Sequence, residues 1–304
     1  MISFRYHLVS IIAVFLALAL GIVVGTTALN GTITKGLRDD VSSLKKQRAD
    51  LNNQIKQLQA QVDDAGQFAS TYGTQLVAGS LKNQSVLLIA MPGASTGNED
   101  GIANQITAAG GKISGRVGLT NDYIDQRRAD GIISLATGPA HPIWLTFPET
   151  NDAGQLGGTL LAAVLTGHGQ QSDITQVLAG LSELHMVTTD GNDVAPATTI
   201  VIVANGSLAP NSYPGSVELS LVSAFHKWGK SVVVAGDAGT AQSGGVVALI
   251  RGSSTRTQVS SVDDADTPFG EVSTVLTLAA TIAGHIGHYG TGSNSDALFP
   301  PPAK

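Results

Sequence analysis

Residues 85–93 read SVLLIAMPG. Val86–Met91 is an unbroken apolar run closed by Pro92-Gly93, the pattern of a short strand buried on both faces of a parallel sheet. Ile102, Ile106 and Ala109 then recur at helical spacing up to Gly110-Gly111, and KISGRVGL at 112–119 returns to strand, completing a β-α-β unit. The same alternation continues. Helices are expected over Gly157–Leu165, Ile174–Leu184, Val217–Trp228 and Phe269–Ile286, with a helix or turn over Gly244–Arg251. Strands are expected at His185–Thr188, Thr199–Val203, Ser231–Ala235 and Thr257–Val262. Strands separated by helices predict an α/β domain over 85–290, Rossmann-like, with a mainly parallel sheet covered by helices. The tail at 291–304, rich in small polar residues and proline, reads as disordered.

Upstream of that domain, residues 69–84 read as a connector and 30–68 as a helix. Leu37, Leu44, Leu51 and Leu58 fall on the d positions of a heptad, with Val41, Arg48, Ile55 and Val62 on a. β-Branched residues at a with leucine at d favour a parallel two-stranded coiled coil, and the charged Arg48 would fix its register at some cost in stability. The alternative is a single amphipathic helix packed on its own domain. Asn30, Gly31 and Gly36 mark a juncture before this stalk.

Further upstream, LVSIIAVFLALALGIVVGTTAL fills positions 8–29, and no charge lies between Arg5 and Lys35. That is the length a helix needs to cross a bilayer, and longer than the apolar core of a cleaved signal. A retained transmembrane helix over 8–29, after a short segment 1–7, is therefore expected. Ala13, Ala17, Gly21 and Gly25 recur every fourth residue and form a small-residue stripe on which two such helices could pack closely. High Gly and Ala content is also common in membrane helices generally. Arg5 before the span is outnumbered by Lys35, Arg38, Lys45, Lys46 and Arg48 after it, which alone would hold the downstream part inside; large domains translocate largely regardless.

Charge and composition narrow the partners. The chain carries a net charge of −6. Residues 1–68 hold seven Lys and Arg against five Asp and Glu, and the remainder ten against eighteen. An acidic globular part without a basic stripe excludes a nucleic-acid partner. The absence of cysteine removes disulfides, thiolate metal sites and cysteine nucleophiles.

Candidate chemistry is sparse. MPGASTGNED (91–100) follows the first strand, where ligands bind in open α/β sheets, but lacks both G-x-G-x-x-G and a Walker lysine. SSVDDADTPFGE (260–271) gathers Asp263, Asp264, Asp266 and Glu271 between a strand and the last helix. These carboxylates are candidate Mg²⁺ or Ca²⁺ ligands, or else caps of that helix. GHIGHYGTG brings His285 and His288 three residues apart, too few for a closed metal site and suited to a helix C-terminus. GPAHPIWLTFPET (138–150) sets Trp144 and Phe147 among three prolines as a candidate partner surface, the alternative being packing onto their own domain. With no G-x-S-x-G and no H-E-x-x-H, neither an enzymatic activity nor a cofactor is expected.

The opening MISFRYHLVSIIAVFLALALGIVVG and the closing SSVDDADTPFGEVSTVL with GHIGHYGTG resemble the signature ends of the actinobacterial MctB family. The resemblance implies a cell-envelope protein concerned with copper export and copper homeostasis, its globular part outside the cytoplasmic membrane and a copper ion as cargo. Corynebacterial relatives, called SteB, imply instead a scaffold that acts with the membrane protein SteA in cell separation and control of peptidoglycan hydrolysis. The residues favour the second: Cu(I) selects Cys and Met, and Met1, Met91 and Met186 form no cluster in the sequence. One span per chain encloses a pore only if several chains assemble.

Overall fold

A computed structural model describes residues 4–138, 141–191 and 193–301, with 27–34 described by their backbone only. Two compact units emerge, Met1–Asp64 and Ala65–Lys304.

The first unit is built on α1, a helix spanning Phe4–Val77. Phe4–Thr26 is its apolar part, 23 residues long and sufficient in length and composition to cross a membrane. The backbone stays helical through the expected juncture at Asn30 and Gly31, whose side chains lie outside the described residues.

The last turns of α1 belong to the second unit. The expected connector at 69–84 is therefore mostly helix, ending in turns only after Val77. Gly73, which suggested a break, has another role. A Cβ there would meet Val272 Cγ2 at 2.6 Å, so glycine lets the helix approach its neighbour.

After α1 come β1 (Ser85–Ala90), α2 (Thr96–Ala108), β2 (Lys112–Leu119), α3 (Ala129–Thr137), α4 (Ala153–Leu165), α5 (Gln171–Glu183), β3 (Val187–Thr189) and β4 (Thr199–Ala204). They are followed by α6 (Tyr213–Trp228), β5 (Ser231–Gly236), α7 (Val246–Arg251), β6 (Ser260–Val262), α8 (Pro268–Ile282) and β7 (His288–Tyr289). Among the described residues, seven strands form one sheet in the order β3-β2-β1-β4-β5-β6-β7. Every neighbouring pair is parallel except β2–β3. Connections leave in opposite directions from β1 and β4, which lie side by side with Ala90 opposite Val203.

The strand period places the core. Leu87, Ile89, Ile200, Ile202, Val232 and Val234 face one layer with residues of α3–α7 such as Ile132, Leu160, Ile174, Leu221 and Val247. Val86, Leu88, Val201, Val203, Val233 and Ala235 face the other, against Ile102 and Ile106 of α2, Val275 and Leu278 of α8, and Val77 of α1. Burial on both faces explains why these strands read as continuous apolar runs.

The segment expected to be disordered is instead folded onto the sheet edge through residue 301; residues 302–304 lie outside the described residues. Asp296 N–H donates to His288 O at 2.7 Å and Gly290 N–H to Ala297 O at 3.1 Å. Arg256 donates to Asn294 O and to the Asp296 carboxylate, and Phe299 packs on Phe269 with ring centroids 5.5 Å apart. A polar segment without apolar periodicity is ordered here by charge-assisted and backbone hydrogen bonds, which composition does not reveal.

Candidate functional site

The acid-rich stretch after β6 and the histidine stretch before the tail are neighbours, joined by an arginine. Asp263 follows β6 and is fully buried. Its Oδ2 accepts from Arg251 Nη1 at 2.5 Å, and its Oδ1 accepts from the N–H groups of Thr291 and Gly292 at 2.7 and 3.0 Å. Arg251, the last residue of α7, also donates from Nη2 to Tyr289 O, from Nη1 to Ser293 O and from Nε to Ser261 Oγ. Gly290, at φ +120°, is needed for this approach, since a Cβ there would stand 2.3 Å from Asp263 Oδ1. The buried charges are thus paired and multiply hydrogen-bonded, the condition under which burial is tolerated.

The other candidate ligands point elsewhere. Asp264 is mostly buried, and burial, reinforced by neighbouring Asp263, pushes its carboxyl up to about 6. Asp266 is exposed. Glu271, in the first turn of α8, lies over Gly101 of α2, where burial raises its pKa. His285 is exposed, whereas His288 is 2% exposed and engaged through both ring nitrogens. Its Nε2 lies 2.9 Å from Arg256 O and its Nδ1 2.8 Å from Ser261 Oγ. A carbonyl only accepts, so Nε2 carries the proton and Nδ1 receives the Ser261 hydroxyl. Burial lowers the His288 pKa, in keeping with this neutral tautomer. Among the described residues no three His, Asp or Glu side chains converge as a metal site. Arg251 was the residue that sequence reading missed, because nothing in VVALIR announces a partner at position 263.

At the carboxyl ends of β1 and β4, Met91 N–H donates to Val203 O at 2.7 Å and its side chain is 2% exposed, within the core. The loop after β4 is pinned by Gly206 N–H donating to Asp237 Oδ1 at 2.8 Å. Near the start of α2, Glu99 is raised by burial, with Arg116 3.8 Å away acting against that shift.

The proline-rich loop divides its apolar residues. Phe147 packs against the core and edge-on to His141, at a centroid distance of 5.6 Å. Trp144 is 40% exposed and held in place, its Nε1 donating to Asp173 Oδ2 at 2.9 Å. Ile143, not singled out from sequence, is fully exposed beside it. With His141, His168, Gln170 and Gln176, Ile143 and Trp144 line an open cleft of about 500 Å³, from which Phe147 is absent. Pro139, one of the three prolines, lies outside the described residues.

On α1 the heptad positions Leu37, Val41, Leu44, Leu51, Ile55, Leu58 and Val62 are all exposed in the single chain, as is Arg48. Ala13, Ala17 and Gly21 are exposed too, Gly25 is half-buried, and a Cβ added at Gly21 or Gly25 would meet nothing within 4 Å.

Comparison with known proteins agrees with the resemblance at the chain's two ends. The family model described as "Copper transport outer membrane protein, MctB" matches residues 1–300. Proteins called Copper transporter MctB from Mycobacterium bovis and Mycobacterium tuberculosis are each 29% identical to this chain, over 96% of it and 97% of their own length. The protein of that name from Mycobacterium leprae is 28% identical over 99% of this chain and its own full length. A match from the apolar helix through the folded tail covers every element described above: the chain belongs to the MctB family.

Proposed function

We propose that the chain acts in copper export and copper homeostasis at the cell envelope, as a parallel homodimer anchored by one transmembrane helix per copy with its globular unit on the extracytoplasmic side. The observation that carries this is the family match over residues 1–300, anchor included. In this reading the exposed heptad positions of α1 form a coiled-coil stalk, and the second unit is a Rossmann-like module whose strand order diverges between β1 and β4. One span per copy means that a conducting path requires further copies or another membrane protein. The test is deletion of the gene followed by growth in graded copper, with complementation by the intact chain. Hypersensitivity reversed by complementation supports the reading; unchanged copper tolerance and intracellular copper overturn it.

A second reading has its own support. The candidate ligands Asp263 and His288 are engaged in internal hydrogen bonds, while Ile143 and Trp144 stand at the surface. That pattern suits a membrane-tethered scaffold binding a SteA-like partner in cell separation. Capture of the full-length protein from membranes tests it: co-purification of such a partner, lost with Ile143→Asp, is expected. Separation without defect in the deletion strain, together with no complex, would sink it.

A further inference from the structure

The heptad frame does not stop at Val62. Carried forward along α1, it puts Ala65 and Tyr72 on d and Ala69 and Leu76 on a, all within the globular unit. There the helix has two adjacent stripes. Ala69, Gly73 and Val77 form one, turned inward: Ala69 is 1% exposed, Gly73 touches Val272 and Val77 joins the core. Phe68, Tyr72 and Leu76 form the other, each one residue earlier and so about 100° around the helix. These three large apolar residues remain roughly half exposed, with the Phe68 and Tyr72 rings 4.9 Å apart. No charged residue occurs between Asp64 and Lys82. A solvated helix face about two and a half turns long ordinarily carries charges, and an apolar stripe free of them marks a contact surface.

We infer that Tyr72 and Leu76, flanked by Phe68, pack against the same residues of a second copy of this chain, so that the dimer seam runs beyond the stalk and joins the two globular units directly. The occupant is identified by register. Tyr72 and Leu76 keep the d and a positions set by Leu37–Val62, which a parallel copy in the same frame meets residue for residue. Ala69 is the one a position taken by the unit's own packing, which shifts the seam toward Phe68. This rests on the parallel-dimer reading above, and the test separates the two.

The chain has no cysteine, so single introduced cysteines report one contact each. Disulfides form only where Cα atoms come within about 7 Å, as d positions of a parallel pair do. Leu51→Cys, Tyr72→Cys, Leu76→Cys and, as an outward control, Gln67→Cys are each made in the full-length protein. Each is oxidised with diamide in membranes and resolved on non-reducing gels. Dimer bands for Leu51→Cys, Tyr72→Cys and Leu76→Cys but not Gln67→Cys are expected. A band for Leu51→Cys alone would leave the stalk dimer and overturn the extension. No band at any position would overturn both, and equal bands at all four would mark random collision and also overturn it. An unchanged melting temperature of the reduced, detergent-extracted full-length Tyr72→Cys protein shows that the exposed substitution leaves the fold intact.

Discussion

Asp263 shows how far one residue's role depends on groups distant in sequence. It stood out as one of several carboxylates at a strand end, a position equally suited to a cation or a helix cap. Arg251, twelve residues earlier, and the N–H groups of Thr291 and Gly292 decide the matter. Removing one partner of a buried pair leaves an uncompensated charge, at a cost of about 3–5 kcal/mol. Asp263→Ala and Arg251→Met are therefore each expected to lower unfolding stability by that amount in urea titrations, and the double substitution by less than the sum. Glu218 of α6 gives the opposite case. Burial alone pushes its carboxyl up to about 7, well above the usual carboxylate range. A raised acid pKa means that the folded state binds the proton more tightly, so this contribution is full below the unfolded pKa and is lost as pH rises through about 7. Glu218→Gln should then flatten the decline of stability between mildly acidic and mildly alkaline pH. At pH 8 it should gain on the order of 2–3 kcal/mol, read from melting curves across that range.

At the scale of elements, the sequence was most legible where burial is two-sided. β1, β4 and β5 appear within a residue or so of where their apolar runs put them, because a central parallel strand leaves a run of Val, Ile and Leu too short for a helix. The sheet edges were less legible. β7 is two residues long and contains a histidine, so it shows no period, and β3, expected over His185–Thr188, begins two residues later at Val187. α3 went unrecognised because ADGIISLAT is only nine residues long and carries a glycine, Gly131, in its first turn. The end of α1 was misjudged for a related reason. Gly73 signals a break by propensity, yet its missing side chain serves packing against α8. Gly73→Ala tests which effect wins. Alanine gains about 1 kcal/mol in helix propensity. Against this, its Cβ would press on the short, branched Val272 side chain at 2.6 Å, and overpacking costs about 1–3 kcal/mol. A net loss of stability is expected in denaturant titration, and pairing the change with Val272→Ala should recover part of it.

For the whole molecule, the helix over 30–68 and the apolar span were readable because helical periodicity and span length are local properties. The folded tail was not, since its order comes from separate long-range contacts: Arg256 with Asp296, His288 N–H with Asp296, and Asp263 with the N–H groups of Thr291 and Gly292. Deleting residues 291–301 is expected to do more than trim a surface. It removes two donors to Asp263 and one acceptor of Arg251, and should lower the melting temperature of the second unit by several degrees, about 2–4 °C for each kcal/mol lost in a domain of this size. A differential scanning trace unchanged by the deletion would count against that role.

The Asp263 clasp also bears on how the protein is made. A chain emerges in order from its amino end, so β1 to β6 and the Asp263 carboxylate are synthesised before Thr291 and Gly292 supply their donors. Until then the sheet can be wound but its last charged joint stays open. Completion of the globular unit is thus tied to delivery of residues 288–296, and a stall or cleavage before that point leaves a nearly finished sheet in which Arg251 alone holds the Asp263 carboxylate and its Oδ1 lacks both N–H donors.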